Sequence, residues 1–138
     1  MTQEEKNLVL IDLCGRLPYG VKIKEEYGDY IDVNIHNANI EHLIDRVVSG
    51  LDKLVLRPMY SMTKEERKEL KQLMNCDAVT DYSLEYAVGG CVDYDDFLVY
   101  YEDTAKLHDW LNKKMFDYCE LIPKCLALEA KEDMYKND

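Results

Sequence analysis

The stretch Gly20–Leu56, GVKIKEEYGDYIDVNIHNANIEHLIDRVVSGLDKLVL, changes its periodicity twice, and those changes set the fold class. Val21 and Ile23 alternate with Lys22 and Lys24 in the run Gly20 to Glu26. Ile31, Val33 and Ile35 alternate with Asp32, Asn34 and His36 in the run Tyr30 to His36. Period two is the mark of a strand with one buried face. Tyr27, Gly28 and Asp29 supply a turn, so the two runs predict a β-hairpin whose polar face sets Lys22 and Lys24 near Asp32. From Asn39 to Leu51 the period changes. Ile40, Leu43, Ile44, Val47, Val48 and Leu51 recur at the spacing of a buried helical stripe, with Asn37 or Asn39 as cap and Gly50 near the end. Leu54, Val55 and Leu56 then form a short apolar strand stopped by Pro58. Hairpin, helix and strand in succession predict an α+β fold.

The flanks extend this pattern. Gln3 to Cys14 reads as a first helix with Leu8, Leu10 and Ile11 inward, Gly15 as its C-cap and Pro18 blocking continuation. Thr63-Lys64-Glu65-Glu66 matches a capping box, and the helix it opens runs to about Asn75. Its thin apolar side, Leu70, Leu73 and Met74, predicts a surface helix. Asp81 to Val88 alternates again, Gly89-Gly90 turns, and Phe97 to Tyr101 favours a strand pairing back. Thr104 is placed to cap a helix from Ala105 to Phe116 with Leu107, Trp110, Leu111 and Met115 inward. A short helix at Tyr118 to Lys124 follows, leading into Leu126 to Ala130. The expectation is one α+β domain over residues 1–138, with a polar tail at 131–138 that frays. Its small antiparallel sheet would join hairpin 20–36 to strands near 54–56, 81–88 and 95–101, packed by four to five helices.

At 138 residues the chain has the size of one domain, and 47% hydrophobic with 33% charged residues suits a folded one. The net charge of -11 argues against direct nucleic-acid or anionic-membrane binding. The densest basic stretch, Lys64, Arg67, Lys68 and Lys71, is interleaved with Glu65, Glu66 and Glu69. Cys14, Cys76, Cys91, Cys119 and Cys125 are odd in number and form no CxxC pair. With a charged start and no apolar run near the ~18 residues of a membrane helix, they predict free thiols in a cytosolic protein.

Two stretches resemble a family. LRPMYSMTKEE (residues 56–66) and DWLNKKMFDYCELIPKCLALEAKEDMYK (109–136) are similar to uncharacterised small proteins encoded by bacteriophages and mobile elements of gut bacteria. CGRLPYGV (14–21) adds to the likeness, which covers about a third of the chain. The resemblance implies a phage or mobile-element origin and a bacterial cytoplasm. It brings no activity and no functional residue. It also implies a glycine where Cys125 stands, and a proline-glycine stretch where Lys131 to Asp133 stands. A glycine at 125 would be a helix C-cap, a left-handed position that would cost cysteine about 1 kcal/mol.

Motifs for chemistry are missing. His36 and His42 are six apart and His108 is remote, short of the three or four converging ligands of a metal site. Asp93, Asp95 and Asp96 lack the glycine and distal glutamate of a calcium loop. Gly89-Gly90 precedes no phosphate-loop signature, and Ser49, Ser61 and Ser83 stand in no nucleophile elbow. The expectation is no catalytic residue, no metal and no cofactor.

The segment 81–103 is distinctive. It holds seven carboxylates and neither Lys nor Arg. Tyr82, Glu85, Tyr86, Tyr94, Asp95, Asp96, Tyr100 and Tyr101 are its candidate partner-binding residues, aromatic rings as anchors and charge for steering. A Tyr-rich hairpin with solvated acids is the plainer reading. The functional expectation is a non-enzymatic accessory protein binding a basic host or phage protein, as a counter-defence factor would. The alternatives are a homo-oligomeric structural protein using a strand edge or the Trp110 helix, and a small-ligand binder or enzyme without a recognisable motif.

Overall fold

The hairpin forms where the alternation is cleanest. In the computed structural model, which describes residues 1–73 and 101–135, β1 (Val21–Lys24) and β2 (Tyr30–Val33) pair antiparallel with Val21 opposite Val33 and Lys22 opposite Asp32. The expected polar pair is present, with Lys22 Nζ 2.7 Å from Asp32 Oδ1. The second strand is shorter than the sequence suggests. Asn34 Oδ1 accepts the N–H groups of His36 and Asn37, and Asn37 Oδ1 accepts that of Asn34. These local bonds turn the chain after Val33 and leave Ile35 54% exposed.

Helix α2 (Ile40–Val48) starts at Asn39, whose side chain accepts the His42 N–H, and buries Leu43 and Val47. Its end is a Schellman motif. Leu51 N–H reaches Arg46 O, Gly50 N–H reaches Val47 O, and Gly50 takes φ 81°. Asp52 then receives two Arg46 bonds, at 2.9 and 3.0 Å, and the Glu26 N–H, fastening α2 to the hairpin.

β3 (Lys53–Leu56) pairs antiparallel with β1. Leu54, Val55 and Leu56 are all fully buried, because this strand is interior and covered on both faces. A fourth strand, β4 (Ala127–Glu129), lies beside it in parallel, giving the order β2-β1-β3-β4. The α+β class holds, but the sheet is mixed rather than wholly antiparallel. A parallel neighbour needs a long crossover, and the chain between β3 and β4 contains the helices that supply it. The strands expected near 81–88 and 95–101 lie outside the described residues, except that Tyr101 begins a helix.

Helix α1 (Gln3–Arg16) carries a Thr2–Glu5 capping box and buries Val9, Asp12, Leu13 and Arg16. The expected inward face is corrected: Ile11 is 67% exposed and Leu8 and Leu10 are only partly covered. Burying the Asp12–Arg16 pair rotates the helix away from the purely apolar choice. Gly15 is not a cap; it lies inside the helix, where an added Cβ would stand 2.9 Å from Asn112 Nδ2.

The Thr63 capping box forms as expected, with both bonds at 3.1 Å, and opens α3 (Lys64–Leu73). This helix is not merely superficial. Leu70 is fully buried with Met62, Leu107, Trp110, Leu111 and Phe116 in a second core beside the main core of sheet, α1 and α2. Helix α4 (Tyr101–Lys113) starts earlier than expected, so Thr104 falls within it rather than capping it; strand propensity in Tyr101 yields to helical context. It ends in another Schellman motif. Phe116 N–H reaches Leu111 O, Met115 N–H reaches Asn112 O, and Met115 has φ 63°.

Residues 118–124 form turns rather than the expected helix. Glu120 has φ 58°, which stops helical propagation, and the Asp117 carboxylate takes up the Leu121 and Ile122 N–H groups. Leu126 N–H to Leu121 O and Cys125 N–H to Ile122 O complete a third Schellman motif, with Cys125 at φ 60°. The position that the resemblance marks for glycine is thus left-handed. Of the tail expected to fray, residues 131–135 are described, and the Tyr135 hydroxyl is bonded into the sheet. Among the described residues no helix is long and apolar enough to cross a membrane.

Candidate functional site

The residues singled out for partner binding, Tyr82, Glu85, Tyr86, Tyr94, Asp95, Asp96 and Tyr100, lie outside the described residues. Tyr101 is placed only by its backbone, as the first residue of α4. The described residues form a different surface feature of the same charge.

An open groove of about 510 Å³ runs between α3 and the chain that follows β4. Its floor is Arg57, which is fully committed. Its guanidinium grips Glu66 at 2.7 and 2.8 Å, reaches the Ser61 and Lys114 carbonyls, and stacks 4.1 Å from the Phe116 ring centre. Burial pushes the Glu66 carboxyl up, but the Arg57 fork and the Thr63 N–H outweigh it and leave Glu66 below its ordinary value. Arg57 therefore neutralises Glu66 and offers little to a ligand.

The walls are acidic. Glu65 and Glu69 come from α3, Glu129 from β4 and Glu132 from the tail. Glu69 accepts the Trp110 indole N–H at 3.1 Å and lies 3.6 Å from Lys114 Nζ. Glu129 accepts the Tyr60 hydroxyl, which raises the Tyr60 pKa. Glu65 and Glu132 have no ion-pair partner among the described residues. Among the described residues the one lysine lining the groove is Lys131, whose ammonium lies 5.6 Å from the Tyr30 ring centre. Tyr60 stands at the groove 76% exposed, a large ring beside a carboxylate.

A second cleft of about 360 Å³ lies beyond Tyr135, which lines both. Lys22, Lys113 and Lys114 border it, but Lys22 is held by Asp32 and Lys114 by Glu69. The Tyr19 hydroxyl donates to Asp109 nearby.

The remaining described polar groups that carry a pKa shift or a free thiol are few. Burial pushes the Cys119 thiol up to about 11, so it stays protonated near neutral pH. Cys14 and Cys125 are exposed free thiols. His108 stacks on Tyr118 with its ring centre 5.2 Å away, and burial lowers its pKa. Among the described residues no group of three His, Cys, Asp or Glu side chains converges on a metal position.

The groove was not legible in the sequence. Tyr60 and Glu129 meet across 69 positions, and only the parallel placement of β4 brings them together. The one local signal was the run of glutamates in α3, which reads equally well as a solvated helix face. No protein-family model, no curated protein and no solved structure matches the chain.

Proposed function

We propose that this chain is a non-enzymatic interaction protein that docks a basic segment of a partner protein. The observation that carries the reading is the groove between α3 and β4, whose walls bear Glu65, Glu69, Glu129 and Glu132 around the exposed Tyr60 ring. A cationic side chain gains there from carboxylates on two walls and from an aromatic face. The seven carboxylates between 81 and 103 carry the same sign, and with a net charge of -11 they favour steering toward a basic partner. The candidate residues Tyr82, Glu85, Tyr86, Tyr94, Asp95, Asp96, Tyr100 and Tyr101 bring the same combination of rings and carboxylates to this reading. If the chain belongs to a phage or mobile element, as the resemblance implies, the partner is a host or phage protein of the bacterial cytoplasm.

Affinity purification from a bacterial host lysate, followed by titration of the purified partner, tests this. Affinity should fall at least about tenfold when salt rises from about 0.05 to 0.5 M. It should fall comparably in the triple variant Glu65→Gln, Glu129→Gln, Glu132→Gln. A partner bound with the same affinity in both salts, or equally well by the triple variant, removes the proposal.

A further inference from the structure

Where Lys22 stands opposite Val55, the ladder between β1 and β3 contains a side chain. The Lys22 N–H donates to the Tyr135 hydroxyl at 2.7 Å, and that hydroxyl donates to the Val55 carbonyl at 2.7 Å. A phenol thus takes the donor of one strand and the acceptor of the next, the two groups an antiparallel pair would otherwise join. Lys22 Nζ lies 5.9 Å from the centre of the same ring. Tyr135 lines both the acidic groove and the second cleft.

Donor and acceptor are main-chain groups of two strands held in register by Ile23 opposite Leu54 and Lys24 opposite Lys53. Residues 131–133, which lead into Tyr135, are exposed. We propose that the gap between β1 and β3 is a binding site for a phenol, filled in cis by Tyr135, and that residues 131–135 are a tethered plug. A ligand carrying an aromatic hydroxyl fits it; the same ring without the hydroxyl leaves Lys22 N–H and Val55 C=O unjoined.

The test uses the full chain with Tyr135→Ala, p-cresol as the missing side chain, and toluene as its hydroxyl-free match. At about ten times its Kd, p-cresol should raise the melting temperature of the variant by about 5 °C. Toluene should do measurably less, and neither should move the wild type, whose own phenol occupies the site. Should the variant not fold alone, p-cresol should restore the folded state where toluene does not. Tyr135→Phe keeps the ring and removes only the hydroxyl, so hydrogen exchange at the Lys22 amide should quicken about tenfold. Equal effects of p-cresol and toluene on the alanine variant, failure of p-cresol to stabilise or restore it, or unchanged Lys22 exchange in the phenylalanine variant would each overturn the assignment.

Discussion

Asp12 and Arg16, one turn apart on α1, meet at 2.7 Å with both side chains wholly out of water. Arg16 also donates to the Phe116 carbonyl at 2.6 Å, so the pair ties α1 to the segment that follows α4. One guanidinium nitrogen, Nη1, is buried without a hydrogen-bond partner among the described residues. Removing one member should therefore cost more than removing both. Asp12→Ala should lose about 3–5 kcal/mol in urea denaturation, because it strands a buried cation. The double change Asp12→Leu with Arg16→Met should recover most of that loss. Equal stability of the single and double variants would show that the pair is not the cause.

Cys125 and Met115 occupy the same left-handed position of two Schellman motifs, at φ 60° and 63°, and should respond to glycine with opposite signs. Cys125 is exposed, so Cys125→Gly relieves strain at little cost and should stabilise by up to about 1 kcal/mol. Met115 is buried, and Met115→Gly gains the same relief but loses the packing of a whole side chain, about 2–5 kcal/mol. The net effect there is destabilising. Thermal melts of the two variants check both signs.

Gly15→Ala, which favours an ordinary helix by about 1 kcal/mol, should destabilise this one. Asn112 fills the space a Cβ needs, and its side-chain oxygen accepts the Tyr118 hydroxyl at 2.9 Å. Displacing it should cost about 1–3 kcal/mol. A melting temperature at or above wild type would show that Asn112 moves aside freely.

Stability should fall on acidification from below about pH 4.3, the ordinary glutamate value. Glu66 is held below its ordinary value despite its burial, by Arg57 and the Thr63 N–H; Asp52 is held down by Arg46. A carboxyl depressed in the folded state contributes stability that is present above its unfolded pKa. That contribution is lost as pH falls through the folded one. Asp117 runs the other way. Burial raises it, so its contribution is present at low pH and lost as pH rises through its folded value, softening the acid limb. Melting temperatures between pH 2.5 and 6 should show a shallower acid limb for Glu66→Gln than for wild type.

Features written within a few residues were legible in the sequence. Asn39 caps α2, Thr63 and Glu66 close a capping box, and Val21, Ile23, Leu43 and Val47 face the core, because each depends on spacing along one element. Ile11 was misread because hydropathy alone places Asp12 and Arg16 on the surface, whereas each supplies the other's missing solvation. β4 was not legible either. Ala127, Leu128 and Glu129 are too few for a pattern, and their strand exists only because β3 offers an edge. The groove inherits that difficulty, since Glu129 reaches Tyr60 by way of β4.

The parallel seating of β4 on β3 has a consequence for the order of assembly. Residues 21–56 contain β1, β2, α2 and β3, and both partners of β1 lie within this stretch. They can collapse while the chain is still being synthesised. Leu54 finds Ala127 only after more than seventy further residues have emerged. Until then the β3 edge stands open, and a nascent chain paused before residue 127 presents a bare apolar strand to chaperones and to its own copies.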